Sequence, residues 1–263
     1  AVTDFATVDP VEFDPSLTRK EFDECAKNHR SNVKVVSHEA LSSRPHHGFY
    51  YAPEAAKRLK QTFPEASLLI IFREQRKIIY SLYGEHIRNG GRHHLREFIG
   101  SGNEPAGWNP LCRLSFFKYD QLLKMYNDVF GKDKVLALPL ELLSTDKSAF
   151  AKRFFEFLGL PLQDLPAQAR SNPGWTARTY DFYRMTNGLF RKNPLGPASS
   201  TSYRLREKLT WRLNDIIPKS LSTSKEKDLR EFIDTRTDNY FCKSNAQLSE
   251  MLGIDLGAMG YKT

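Results

Sequence analysis

The sequence predicts one α/β domain over residues 1–263, a three-layer arrangement of a parallel sheet with flanking helices followed by a helical C-terminal portion. Three observations carry this expectation. The run SLLIIF (67–72) is apolar almost throughout, as in a strand buried on both faces of a parallel sheet. Strand-like and helix-like segments alternate around it with Gly, Asn and Pro at their boundaries, the pattern of strand–helix–strand crossovers. The length of 263 residues, with 40% hydrophobic and 12% aromatic residues, suffices for one well-buried core, and no repeat or low-complexity tract interrupts it.

The elements follow in order. From Leu17 to Arg30 a helical period places Leu17, Phe22 and Cys25 on one face, and Asn32 ends it. The β-branched run Val33, Val35 and Val36 in NVKVVSHEALSS predicts a short buried strand ending near Ser37. After the loop SSRPHHGF, Pro53 sits in the first turn of a helix that continues through AAKRLKQTF and closes at Pro64. SLLIIF comes next, then the helix REQRKIIYSLYGEHIRNGG, with Ile78, Ile79, Leu82 and Tyr83 apolar and Asn89, Gly90 and Gly91 as the stop. A helix Tyr119–Phe130, a stop at Gly131 and a strand Val135–Leu138 repeat the pattern, and helix Ala149–Leu158 ends at Gly159 and Pro161. From Trp175 the chain reads as mostly helical, with a loop rich in Asn, Pro, Gly and Ser from Asn193 to Ser202.

Composition narrows the functional classes. Cys25, Cys112 and Cys242 are odd in number and far apart, which indicates neither a disulfide framework nor a zinc site and suits a reducing compartment. No apolar run approaches the roughly 20 residues of a transmembrane helix, and the start AVTDFATVDP has no secretory leader pattern, so a cytoplasmic location is expected. A net charge of +8 favours an anionic partner, and ten Lys/Arg against four Asp/Glu between Arg191 and Arg230 concentrate it towards the C-terminus. A nucleic-acid partner is not expected, because the charge lacks an accompanying aromatic-basic signature; a basic solvated helical surface is the alternative.

In open α/β sheets ligands bind at the carboxyl ends of the strands. The junctions Ser37–His38–Glu39, Arg73–Glu74–Gln75 and Pro139–Leu140–Glu141 are therefore the candidate positions. Arg73 follows its strand directly, beside a helix N-terminus whose free N–H groups suit a phosphate, and Ser81 stands eight residues on as a second donor. Spacing alone leaves open that Arg73 pairs with a nearby carboxylate and that Ser81 is a small packing residue.

IIFREQRKIIYSLY resembles the 3′-phosphate segment of sulfotransferases that use 3′-phosphoadenosine 5′-phosphosulfate (PAPS). NVKVVSHEALSS resembles the preceding strand of that family, KVLALPLELLSTDKSAFAKRFFEFLGLP its later strand, acidic turn and helix, and SNAQLSEMLGIDLGAMGY the C-terminal end of bacterial members. The resemblance covers about Val33 to Leu160 and the final twenty or so residues, in matching order. It implies a P-loop NTPase-like fold, PAPS as co-substrate with adenosine 3′,5′-bisphosphate as product, and no metal. It also implies a small-molecule or glycan acceptor. Arg73 and Ser81 would bind the 3′-phosphate, a base near the end of the Val33–Val36 strand would be Glu39 or its neighbour His38, and Arg191 and Lys192 would belong to a loop closing over the phosphate. Arg204 and Arg206 are equally available for that last role.

The family's Gly-, Ser- and Thr-rich loop for the 5′-phosphosulfate has no counterpart in the sequence, and it is expected upstream of Ala1 together with a further strand. A non-catalytic protein binding adenosine 3′,5′-bisphosphate or an anionic glycan is the alternative. A nucleotide or sugar kinase would require a Walker lysine and acidic magnesium ligands that the sequence does not offer.

Overall fold

In a computed structural model the described residues are 4–27, 33–166, 175–189, 208–210, 212 and 219–263. The helices, in chain order, are α1 (Asp4–Thr7), α2 (Pro15–Ala26), α3 (Ala52–Thr62), α4 (Gln75–Arg88), α5 (Leu95–Ile99), α6 (Tyr119–Phe130), α7 (Leu142–Thr145), α8 (Lys147–Leu158), α9 (Ala177–Thr186), α10 (Lys219–Thr237) and α11 (Cys242–Leu252). Strands β1 (Leu68–Phe72) and β2 (Val135–Pro139) pair in parallel, with Leu68 opposite Val135 and Phe72 opposite Pro139. The α4-to-α6 segment makes the crossover between them. It closes a core that includes Ile79, Ile87, Phe98, Phe117 and Leu138.

Local chemistry explains several element ends. Asp14 accepts from the N–H groups of Ser16 and Leu17, capping α2. Gly159, in the left-handed region at φ 63°, ends α8. The buried Arg58 of α3 donates from Nη1 to the carbonyls of Asp4 (3.1 Å) and Val8 (2.9 Å), which satisfies the end of α1 and fixes the N-terminal segment.

Three expectations about the sheet are corrected. Among the described residues only β1 and β2 form a sheet, so the three-layer parallel arrangement reduces to a small parallel pair packed among helices. The predicted strand Val33–Val36 does not join it: Val35 is 78% exposed, and the chain runs without regular structure into a 3-10 turn at Glu39–Ser42. β-branched residues favour an extended backbone, but a strand also needs a neighbouring strand and a face to bury; among the described residues no strand pairs with this segment, and Val33 and Val35 are exposed. Nor is SLLIIF buried on both faces. Phe72 is enclosed, whereas Leu69 (40%) and Ile71 (47%) stay exposed, because helices α6 and α8 pack on β2 and the outer edge of β1 has no strand beside it among the described residues.

Helix α4 touches α9, α10 and the 3-10 turn Pro45–His47. Gly84 permits the approach of α9, since a Cβ there would lie 2.4 Å from the Tyr180 hydroxyl. At its C-terminal end the buried His86 lies within 3.0 Å of the His46 carbonyl through Nδ1. A carbonyl only accepts, so Nδ1 carries the proton and Nε2 accepts from Nδ1 of His93 at 3.2 Å. The ring stacks on Phe98 and covers Gly91, where a Cβ would come within 2.2 Å of it.

Burial, reinforced by the neighbouring His47, pushes the imidazole of His46 down to about 4, and burial likewise pushes that of His86 down to about 4. A histidine with a depressed folded pKa is protonated more readily in the unfolded chain, so stability is full above about 6.5 and falls as pH drops towards 4. For His86 alone the loss at pH 5 relative to pH 8 is about 2 kcal/mol. Urea denaturation at the two pH values should show this loss, and His86→Gln should flatten the dependence between them.

Candidate functional site

The parallel register brings the carboxyl ends of β1 and β2 side by side, and with them two of the three expected junctions. The Phe72 carbonyl accepts from the Leu140 N–H at 2.7 Å. Two residues beyond Phe72 and one beyond Leu140, the Glu74 N–H donates to Oε1 of Glu141 at 3.2 Å. Both carboxylates are buried. Glu141 also accepts from the Tyr261 hydroxyl at 2.8 Å on Oε2, and the Lys77 ammonium lies 3.5 Å from Oε1. Burial, followed by the Glu141 carboxylate, raises the Tyr261 phenol well above its ordinary range and keeps it a donor.

Glu74 is the N-cap of α4. Its Oε1 accepts from the Arg76 N–H (3.2 Å) and its Oε2 from the Lys77 N–H (3.1 Å), while the Arg76 guanidinium bonds Oε1 through Nε at 2.6 Å. This corrects the expectation of free N–H groups for a phosphate at this terminus. A carboxylate immediately before the helix is already seated on those donors, satisfying the groups that every helix start leaves unpaired.

The chain's C-terminal residues roof the junction. Arg76 Nη2 donates to the Gly260 carbonyl at 2.6 Å. Gln75, fully buried, donates to Oδ1 of Asn245 at 2.6 Å, and Asn245 donates in turn to the Lys262 carbonyl at 2.7 Å. The Tyr119 hydroxyl donates to the Arg73 carbonyl at 2.9 Å, fixing the backbone there from α6.

Of the predicted site residues, Arg73 is half-buried, and its guanidinium makes no hydrogen bond or ion pair among the described residues. Ser81 is exposed on α4, one turn beyond Lys77 on the same helix face. Lys77 was not singled out from the sequence, although it stands four residues after Arg73 and four before Ser81. Arg76, Lys77 and Arg230 line a cleft of about 200 Å³ between α4 and α10, together with Glu74, Asp234 and Ile233. Its charge is mixed rather than uniformly basic.

His38 and Glu39 are not brought to this place. Both are exposed, the 3-10 turn that begins at Glu39 packs on α3 and α1, and the Glu39 carboxylate makes no hydrogen bond or ion pair among the described residues. Arg191 and Lys192 lie outside the described residues. Among the described residues no group of three or more His, Cys, Asp or Glu is placed to hold a metal ion.

The Glu141–Tyr261 contact is testable by stability. Tyr261→Phe leaves one buried carboxylate oxygen without its donor and should cost about 1–3 kcal/mol in urea denaturation. Tyr240→Phe, on a partly exposed ring, serves as the control and should leave the midpoint unchanged.

No protein-family model matches the chain, and no curated protein matches it in sequence. Among solved structures it is similar in shape to a sulfotransferase from Alicyclobacillus acidocaldarius, at 19% identity and a TM-score of 0.44 over 80% of this chain. The matched region is 63% of that protein's length, and no residue role is carried across at this distance.

Proposed function

We propose that the chain transfers a sulfuryl group from PAPS to a hydroxyl or amine of a small-molecule, glycan or lipid acceptor, with the 3′-phosphate held at the Arg73–Ser81 junction. The observation that carries this reading is Arg73: a half-buried guanidinium at the carboxyl end of β1 with no hydrogen-bond or ion-pair partner among the described residues. A partly desolvated guanidinium binds phosphate through short, charge-assisted hydrogen bonds. Lys77 and Ser81 continue the same line along α4 as a second cation and a hydroxyl donor. The fit is partial, because Glu74 holds the helix N–H groups. The phosphate is therefore proposed to rest on side chains rather than on the helix terminus, with Arg191 and Lys192 adding charge.

PAPS supplies an activated sulfuryl group whose bond to the phosphate oxygen breaks as the acceptor oxygen or nitrogen attacks in line. The chain's own residues would hold the leaving phosphate and take the acceptor proton, the latter by Glu39 or its neighbour His38. A non-catalytic protein that binds adenosine 3′,5′-bisphosphate or an anionic glycan is the second reading. It is favoured by one observation: the exposed Glu39 begins a 3-10 turn that packs on α1 and α3 and is not brought to the β1–β2 junction.

Calorimetry with adenosine 3′,5′-bisphosphate should give a Kd at least about 30-fold weaker for Arg73→Ala, equivalent to about 2 kcal/mol, with smaller losses for Lys77→Ala and Ser81→Ala. Equal affinity in native protein and Arg73→Ala would remove the 3′-phosphate assignment. Radiolabelled PAPS incubated with phenol, glycan and lipid acceptors separates the two readings. Transfer that falls about a hundredfold in Glu39→Gln supports the enzyme, whereas nucleotide binding without transfer to any acceptor supports the binder.

A further inference from the structure

Four imidazoles gather where α4 ends. His86 is 5% exposed, its Nδ1 facing the His46 carbonyl at 3.0 Å and its Nε2 facing Nδ1 of His93 at 3.2 Å. His46 packs on His47 with ring centroids 4.3 Å apart, and its own Nδ1 is buried with no hydrogen-bond partner among the described residues. A contact between two ring nitrogens holds one hydrogen. The His86–His93 pair therefore accepts a first added proton by a change of tautomer, whereas a second sets two N–H groups against each other. A proton on His46 Nδ1 finds no acceptor.

The surrounding charges oppose both events. Arg44 and His47 disfavour a charge on His46, and His46, His47 and His93 disfavour one on His86. Glu85 favours a charge on His46, but Arg88 and the Asn89 side chain already donate to its carboxylate, each at 2.7 Å. On the neighbouring α5, Glu97 accepts from the His94 N–H at 2.8 Å; on α9, Asp181 pairs with Arg184, which lies 3.1 Å from His94 Nε2.

One movement solvates both buried rings. The 3-10 turn Pro45–His47 carries His46 and covers Nδ1 of His86 with its carbonyl, so lifting it from α4 exposes the two together. Its segment is also tied down by Ser43 Oγ, which accepts from the Ala52 N–H at 3.0 Å, and by the Tyr50 hydroxyl, which accepts from the Arg113 N–H at 2.6 Å and donates to the Leu111 carbonyl at 2.7 Å. Ser43 stands at φ 110°, a conformation costly for a residue other than glycine, and release relieves it. From Gln75 to His86, α4 rises about 16 Å, which separates these rings from the β1–β2 junction. We infer that residues 43–51 form an acid-triggered flap, which lifts from α4 as His46 and His86 take up protons while the β1–β2 core stays folded. It holds whether or not the chain transfers sulfate, since Arg73 and Ser81 take no part in it.

Each ring has a folded value of about 4 against about 6.5 in water, so opening is favoured as pH falls below about 6.5, by about 30-fold per ring at pH 5 relative to pH 8. Amide hydrogen exchange read by NMR at the two pH values, as protection factors, tests the flap. The Ala52 and Arg113 amides should lose at least about 30-fold, and up to about a thousandfold if both rings act, whereas the Leu140 amide, seated on the Phe72 carbonyl, should keep its protection. His86→Gln retains a donor for the His46 carbonyl without a titrating ring, and its loss should be about 30-fold smaller than in the native protein. His46→Gln applies the same test from the flap side should His86→Gln fail to fold. Three results overturn the inference. Unchanged protection of Ala52 and Arg113 in the native protein shows that the rings take protons in place. An equal loss at Leu140 shows global unfolding instead of a flap. A native-sized loss in the glutamine variants assigns the pH dependence to other groups.

Discussion

The fold hinges on one buried carboxylate. Glu141, at the carboxyl end of β2, receives the backbone N–H that follows β1, the hydroxyl of Tyr261 near the chain's C-terminus, and the ammonium of Lys77 on α4. A buried carboxylate without donors would cost several kcal/mol, so the Glu74 N–H and the Tyr261 hydroxyl are needed to satisfy it, while the half-exposed Lys77 ammonium at 3.5 Å adds a looser ion pair. Because the donors come from the start of α4 and from the C-terminal segment, satisfying one side chain at the end of β2 also fixes strand end, helix start and C-terminal segment relative to each other.

A second buried polar set extends the same constraint. Gln75 and Asn245 hold the start of α4 to α11, and the Ser244 hydroxyl donates to the buried Asp120 of α6. Satisfied buried networks of this kind favour one arrangement over its near neighbours, since a shift of any member leaves another unpaired. Arg73 lies between these two sets, held by its carbonyl to Tyr119, while its guanidinium makes no hydrogen bond or ion pair among the described residues. A backbone fixed in this way is well suited to positioning a cation for an anion.

Much of the architecture was legible from local signals. Tyr119–Phe130 is a helix over the expected span because its apolar period and the Gly131 stop agree, and SLLIIF and Val135–Leu138 are strands that pair as parallel neighbours. Val33–Val36 failed because strand formation depends on a partner that local composition does not specify. At the candidate site a junction rule and a spacing point to Arg73 and Ser81, whose part in binding phosphate is a proposal. Glu74 was visible as part of the junction, but its role as a cap depends on backbone angles. Tyr261 and Asn245 were out of reach, since their partners stand 120 and 170 residues away in sequence. The lysine between Arg73 and Ser81 was the one omission that the four-residue interval alone could have supplied.

The bare edge of β1 has a consequence for handling the protein. Leu68–Phe72 contains no charge and no proline, one side of its backbone ladder pairs with no strand among the described residues, and Leu69 and Ile71 flank that edge in solvent. Natural sheets usually guard such an edge with lysine, proline or a bulge, because unpaired N–H and C=O groups template the addition of another chain. In concentrated preparations aggregation is expected to start at this five-residue strand. A lysine in place of Ile71 would act there as a gatekeeper.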